Sequence, residues 1–276
     1  MPIHPTTIIE GDVQIDDQAE IGPYCVIKGD VKIGRGTIVE GHVTLGSKFG
    51  KVVIGDSNHF SPGAVIGGPP QDVSYKSEKT ELIIGNGNIF REFTTMNLAT
   101  SKGDKKTEIG NNNYFMSYTH VGHDCKIGNN IIVAQDSHIG GHVEVDDNVT
   151  IGGVCAFNQF TKVGKYAFVA GGSVVNKDIL PFSRASTSEG VYAFCRATNK
   201  VGLLRKGFSK DEVSNIHKAI RIILLGSDTV DEGIARIQAE CKMSSHLEYL
   251  IHFIKTSKRG IARSRRHRAG DTVFEE

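Results

Sequence analysis

The chain has no tryptophan and only 7 prolines among 276 residues, and its basic side chains exceed its acidic ones by a single charge. A net charge of +1 gives no field suited to a polyelectrolyte, so no nucleic-acid partner is expected. The 5 cysteines contain no CxxC pair, and an odd number cannot close a disulfide framework. No run of about eighteen apolar residues occurs and no signal peptide opens the sequence, so a cytoplasmic protein without an integral membrane segment is expected. Glycine, in contrast, is plentiful at 32 residues, which suits repeated tight corners better than disorder.

Against this background a strict period stands out. From Ile109 an apolar residue recurs at every sixth position, through Phe115, Val121, Ile127, Val133, Ile139, Val145, Ile151, Phe157, Val163 and Val169 to Val175. Ile3, Ile9, Ile15, Ile21, Ile27, Ile33, Val39 and Leu45 keep the same beat. Six fits neither the 3.6-residue helix nor simple strand alternation. It fits a solenoid of short flat strands, each ending at a corner, with one apolar side chain per face stacked into a continuous core. Glycine and asparagine are expected to supply the left-handed corner angles. Cys25, Cys125 and Cys155 each fall four residues after a repeat aliphatic and read as reduced core thiols.

The frame breaks three times: at a three-residue insertion between Leu45 and Ile54, from Gly68 to Leu82, and in the polar stretch Asn97 to Glu108. Loops that leave a rigid solenoid are disproportionately functional, which marks the two longer ones. The beat fades after Val175, and Asp178-Ile179-Leu180-Pro181 reads as the exit. Ser209 and Glu212 then form a capping box ahead of Val213, Ile216, Ile220, Ile223 and Leu224, and amphipathic stretches follow near Thr229–Ala239 and His246–Lys255. The expected division is a solenoid over 1–187, a helical domain over 188–262 and a flexible tail over 263–276, with the basic run Lys258 to Arg268 solvated.

The hexapeptide pattern resembles the left-handed parallel β-helix acyltransferases, a handedness implied by the resemblance alone. Several segments are closer still to the UDP-N-acetylglucosamine O-acyltransferases of lipid A biosynthesis. They are Gly67-Gly68-Pro69-Pro70-Gln71-Asp72, Ile89-Phe90-Arg91-Glu92, His120-Val121-Gly122-His123-Asp124-Cys125, Gly140-Gly141-His142-Val143, Asn158-Gln159-Phe160, the run from Asn199 to Phe208, and Phe253 to Gly260. The fold implied is mainly β, a left-handed parallel β-helix with a small C-terminal helical domain. In such a prism three hexapeptides make one coil, so residues eighteen apart are stacked. His123, Gly141 and Gln159 then share one ladder, and Asp124, His142 and Phe160 share the next.

Acyl transfer from a thioester to a sugar hydroxyl needs a base in the imidazole range and a donor for the oxyanion. The resemblance makes His123 the base, the Gly141 N–H the oxyanion donor and Asp124 the group that orients the base. It assigns His120, His142, Asn158 and Gln159 to substrate, and Gln71 and Asp72 to the sugar. Asn199, Arg205 and Lys206 would hold the nucleotide and its phosphates, and Gly171 would influence acyl-chain length, with the bulky Phe168 nearby. Neither metal nor organic cofactor is implied, because the thioester arrives on the phosphopantetheine arm of acyl carrier protein. A metal bound by the three histidines is disfavoured, no carboxylate or cysteine standing at a convincing spacing. His138 matches no family residue and reads as structural.

Four positions depart from the pattern: Asn158 and Asn97 stand where histidine is common, Ser74 where a lysine is, and Val201 where a glutamate often lies. Asparagine keeps hydrogen bonding but loses a titratable ring. The implied reaction moves an R-3-hydroxyacyl chain from acyl carrier protein to the 3-position of UDP-N-acetylglucosamine or its 3-amino analogue, in a homotrimer with sites between subunits. One alternative is a nucleotide-sugar N-acyltransferase that uses acyl-CoA for a surface-glycan amino sugar. The other is a non-catalytic scaffold, against which the retained His123, Asp124 and Gly141 argue.

Overall fold

From Ile109 to Val175 every residue on the six-residue beat is buried, none more than 4% exposed. The structure is a computed structural model that describes residues 3–187, 191–227 and 229–263. Its two-residue strands pair in parallel, in steps of eighteen: His120 with His138, His138 with Ala156, Ala156 with Val174. Three strands therefore make one turn of a prism, the left-handed parallel β-helix that was expected. Inside, the Phe60, Phe90 and Phe115 rings stack with centroids 4.7 and 5.2 Å apart, and Val133, Ile151 and Val169 continue that column. A fully buried side chain of this size contributes about 1.5–3 kcal/mol. The beat weakens only at the N-terminal end, where Ile9 is 41% exposed and Ile3 and Ile15 are half-buried. Among the described residues no coil packs on the outer side of this first one.

The corners correct one expectation. The left-handed position, three residues after most repeat aliphatics, is taken not only by Gly36 and Asn130 but by Tyr24, Phe93, Tyr118, Asp124, His142, Val154, Phe160 and Tyr166. A left-handed angle costs a non-glycine residue roughly 1–2 kcal/mol. Here each such residue donates its N–H to the coil before it, as His142 does to the His123 carbonyl (2.9 Å) and Val154 to that of Gln135 (3.0 Å). The glycine directly after the aliphatic serves instead for close approach: a Cβ on Gly128 would stand 2.7 Å from Asp147 Oδ1.

The two longer frame breaks become loops, 69–79 and 98–105, extruded between strands that still pair: Val65 with Thr95, and Thr95 with His120. The solenoid runs on past Pro181. Ile179 bridges Val163, and Ser183–Ser186 lies parallel to Phe168–Val169 before the antiparallel strand Phe194–Thr198 ends the wall. Helices α1 (Lys200–Arg205), α2 (Lys210–Arg221), α3 (Val230–Glu240) and α4 (Ser245–Thr256) follow, with the Ser209–Glu212 capping box present at α2. Tyr249 of α4 ties the helices to the prism through the Lys165 N–H and Asp146. At the start of the basic run Lys258 and Arg259 are exposed, as expected, while the backbone beside them is docked on the prism. Ile261 bridges Asp178, Ala262 is buried, and Arg259 reaches the Asn176 carbonyl; the rest of it, 264–276, lies outside the described residues. No helix among those described is long and apolar enough to cross a membrane.

Candidate active site

The prism has three edges, and their chemistry differs. Along the edge after Ile109, Ile127 and Val145, side-chain oxygens of one coil cap the N–H groups of the coil before. Asn111 N–H donates to Asn129 Oδ1 (2.8 Å), and Asn129 N–H to Asp147 Oδ1 (2.9 Å). The edge after Phe90 and Phe115 carries exposed stacked rings, Phe93 on Tyr118 at 5.0 Å. The third edge, after Val121, Ile139 and Phe157, carries His123, Gly141 and Gln159 beside Asp124, His142 and Phe160, the two ladders expected from spacing.

His123 and Asp124 are both buried, 4% and 7% exposed, and joined by a 2.8 Å hydrogen bond from Nδ1 to Oδ2. Burial opposes the charge on Asp124, but hydrogen bonds from His123 and Thr100 outweigh it and hold the carboxyl below its ordinary value. An ionised Asp124 obliges Nδ1 to carry the ring hydrogen, so Nε2 presents its lone pair, as a base requires. Nε2 faces the Cα of Gly141: a Cβ there would stand 2.6 Å from it and 2.5 Å from Cε1. The Gly141 N–H donates to no group among the described residues, unlike its capped counterparts Asn111 and Asn129 on the first edge. A free base nitrogen and a free amide thus lie together at one bare peptide.

His142 stands edge-on to His123 (5.1 Å, 89°) and flat on Phe160 (4.4 Å), its Nε2 3.6 Å from Asp124 Oδ2. Burial lowers its pKa, Asp124 partly countering. His120, one strand earlier, bonds Thr95 Oγ1 through Nδ1 (2.7 Å), and burial, then His138, depress its pKa to about 4. Both rings are accordingly neutral near pH 7. His138 pairs with Asp136 at 3.3 Å and is more than half exposed. The expected want of a carboxylate near the histidines is corrected. His123, Asp124 and His142 offer ligand atoms within 4.8 Å of one another, but Asp124 Oδ2 already accepts from His123 Nδ1–H and from both the N–H and hydroxyl of Thr100.

Both loops reach this edge. Asp72 Oδ1 accepts from the Ser74 N–H and hydroxyl, each at 2.8 Å, while Lys102 Nζ of the second loop meets Asp72 Oδ2 at 2.7 Å. Lys102 and then Ser74 hold the Asp72 carboxyl well below the usual carboxylate range. Gln71 is exposed beside it. Asn97 anchors the first loop through the Pro69 carbonyl (3.0 Å) and keeps its own Oδ1 buried without a partner among the described residues. Gly103 lies against the dyad, where a Cβ would be 3.1 Å from Asp124 Oδ1 and 3.8 Å from His142 Nδ1. Thr100, Lys102, Gly103 and Thr107, whose hydroxyl accepts from the Asp124 N–H at 2.8 Å, were not singled out from sequence. The only signal was the broken period that marked their loop.

Asn158 and Gln159 are exposed on the His123 edge. Asn199, Arg205 and Lys206 are not there. Asn199 caps α1 by accepting from the Gly202 N–H (3.2 Å) and donates to the Tyr166 carbonyl (3.0 Å), which puts α1 on the asparagine edge. Arg205 and Lys206 are exposed at its end, their side chains in no ion pair among the described residues. Gly171 lies on the aromatic edge, where a Cβ would meet the Gly153 carbonyl at 3.1 Å. Within one chain these four stand on other edges than the base.

A family model described as UDP-N-acetylglucosamine O-acyltransferase, domain 2, matches residues 178–262, and the bacterial transferase hexapeptide model matches 12–47 and 106–141. The chain is 42% identical over 261 residues to the acyl-[acyl-carrier-protein]–UDP-N-acetylglucosamine O-acyltransferase of Thermodesulfovibrio yellowstonii, covering 95% of this chain and 99% of that one. It is 36% identical over 263 residues to the protein of the same name from Syntrophobacter fumaroxidans, covering 95% and 100%. Among solved structures it resembles the UDP-N-acetylglucosamine acyltransferase of Francisella novicida, with a TM-score of 0.91, 35% identity and coverage of 96% and 95%. That of Campylobacter jejuni gives 0.86 and 37%, covering 95% and 100%.

Proposed function

This chain belongs to the acyl-[acyl-carrier-protein]–UDP-N-acetylglucosamine O-acyltransferases, and on that premise we propose how its residues divide the reaction. The enzyme moves an acyl chain from acyl carrier protein to a hydroxyl of UDP-N-acetylglucosamine, the first step of lipid A biosynthesis. In the proposed assignment the chain moved is R-3-hydroxyacyl and the acceptor is the sugar 3-hydroxyl. His123 Nε2 takes the hydroxyl proton as the oxygen attacks the thioester carbonyl. Asp124, on Nδ1, holds the ring in the required tautomer and stabilises the imidazolium. The Gly141 N–H receives the oxyanion. Collapse breaks the carbon–sulfur bond, and the imidazolium returns its proton to the departing phosphopantetheine thiolate. No metal or organic cofactor of the protein's own enters these steps, and the site of action is the cytoplasm.

A single observation carries this division of roles: the unpaired Nε2 of a buried His–Asp pair faces a peptide whose N–H donates to no group among the described residues. The cations require a second copy. In a homotrimer whose clefts join the histidine edge of one subunit to the helix-bearing edge of the next, Arg205 and Lys206 supply the diphosphate contacts, Arg205 as a planar fork and Lys206 as a point charge. Asp72, Gln71, His142 and Gln159 frame the sugar.

Mass spectrometry of the product tests the proposal. Carrier-linked 3-hydroxyacyl donors and the matching acyl-CoA are offered with UDP-N-acetylglucosamine and its 3-amino analogue. An ester formed only from the carrier-linked donor supports it; amide formed only from acyl-CoA overturns donor and acceptor together.

A further inference from the structure

We propose that Thr100 is a positioning residue for the reaction, fixing through Asp124 the imidazole that takes the proton. The inference rests on the assignment of His123 as base. Thr100 sits in the second loop, 2% exposed, twenty-four residues from Asp124 in sequence. Its N–H (3.0 Å) and hydroxyl (2.8 Å) both donate to Asp124 Oδ2, the oxygen that also receives His123 Nδ1–H. Lys102 N–H donates to Thr100 Oγ1 (3.2 Å), which occupies a lone pair and leaves the hydroxyl hydrogen to point at the carboxylate.

Three donors on one oxygen hold the carboxylate plane, while Oδ1, buried against Gly103 and without a partner among the described residues, adds nothing to hold it. The loop is in turn fastened at both shoulders. Leu98 and Ala99 are buried, Ser101 Oγ donates to Glu78 Oε1 (3.1 Å) and Lys102 pairs with Asp72 (2.7 Å). A loop that interrupts the repeat thus supplies the orienting contacts that no corner supplies.

Removing the hydroxyl leaves burial less opposed at Asp124, so the carboxyl protonates at higher pH. The titratable groups facing it are His123 and His142 from the prism, Asp104 from the loop and the buried Cys125 beside it. None replaces the lost donor, since His142 and Asp104 remain where they were.

The test compares wild type, Thr100→Val and Thr100→Ser as full-length enzymes, with Thr100→Ala in place of valine should the added methyl unfold the chain. Thr100→Val is expected to lower kcat at least about tenfold, the scale of one hydrogen bond to a charged group. KM for UDP-N-acetylglucosamine stays within about twofold. The acidic limb of its kcat profile moves to higher pH, and Thr100→Ser restores both rate and limb. A lower rate with an unmoved limb marks a merely structural residue and overturns the proposal, as does an unchanged rate. A readout independent of turnover separates this from failure of the functional assignment. In 15N-histidine-labelled protein the downfield His123 Nδ1–H signal shifts in Thr100→Val if Thr100 orients the pair, and stays put if it does not. A wild type that acylates nothing sinks the assigned activity, and the signal then decides Thr100 alone.

Discussion

The Cα of Gly141 lies so close to the His123 imidazole that a methyl added there would stand 2.5 Å from Cε1 and 2.6 Å from Nε2. Glycine at 141 is therefore a packing requirement of the base, independent of its N–H. Gly141→Ala must push the ring out of line with Asp124. Because a displacement of about 1 Å costs on the order of a hundredfold, kcat should fall by that much while the thermal midpoint changes little. Retention of more than half the activity would contradict the placement of the ring.

His123→Ala removes the proton acceptor but leaves the amide and the binding surface. General-base catalysis contributes roughly 10²–10⁴-fold, and kcat should drop within that range with far-ultraviolet circular dichroism unchanged. Asp124→Asn should be as damaging although nearly isosteric, because its amide can donate to Nδ1 and so move the ring hydrogen to Nε2. Steady-state rates of the two variants check this, and near-normal turnover in either one removes His123 from the role of base.

Which of these features was legible in the sequence follows from their range. Residues eighteen apart meet because the coil has constant length, so His123, Gly141 and Gln159 could be aligned by counting. Thr100 meets Asp124 across a loop that breaks the count, and no period predicts where such a loop returns. Helix α1 is too short, at 6 residues, to show an amphipathic pattern, so Asn199 was not identified as its cap. Val154 and Tyr166 at left-handed angles were hidden for a different reason: the hydrogen bonds that offset their strain come from the neighbouring coil.

The folded state should lose stability in acid through His120. Its pKa is depressed to about 4 from an ordinary 6.5 by burial and by His138. A depressed imidazole is protonated first in the unfolded chain, so stability is full above pH 6.5 and falls as pH drops toward 4. At about 1.4 kcal/mol per pH unit the loss reaches at most about 3 kcal/mol. Urea unfolding at pH 7 and pH 4.5 should show a smaller difference in His120→Gln than in wild type. An equal difference would place the acid sensitivity elsewhere, first among the carboxylates that folding stabilises, such as Glu92, held low by Arg91 and Ser117, and Asp72, held low by Lys102 and Ser74.

On the asparagine edge the expected effect is on stability alone. Asn113 is 1% exposed; its Nδ2 donates to the Gly128 carbonyl (2.9 Å) and its Oδ1 accepts from the Ile131 N–H (2.8 Å). Asn113→Leu leaves both backbone groups buried without partners, at about 1–3 kcal/mol each. Chemical denaturation should register a loss of a few kcal/mol, and kcat at 25 °C should stay within about twofold, since the edge carries none of the proposed catalytic groups. A large drop in kcat with unchanged stability would mean the edges are coupled.

The separation of Arg205 and Lys206 from His123 within one chain makes the last expectation the most discriminating. If clefts between copies join the two edges, Arg205→Ala should raise KM for the UDP-sugar, and the same residue should act on a neighbour's base. Mixing unfolded His123→Ala and Arg205→Ala chains and refolding them together then yields assemblies in which one cleft takes His123 from one variant and Arg205 from the other. Activity at low UDP-sugar should rise above that of either variant refolded alone. If co-refolded material is no better than the sum of its parts, while size-exclusion chromatography confirms mixed assemblies, the diphosphate contacts must come from elsewhere on the histidine edge. Lys102, already 2.7 Å from Asp72, is the cation next in line there.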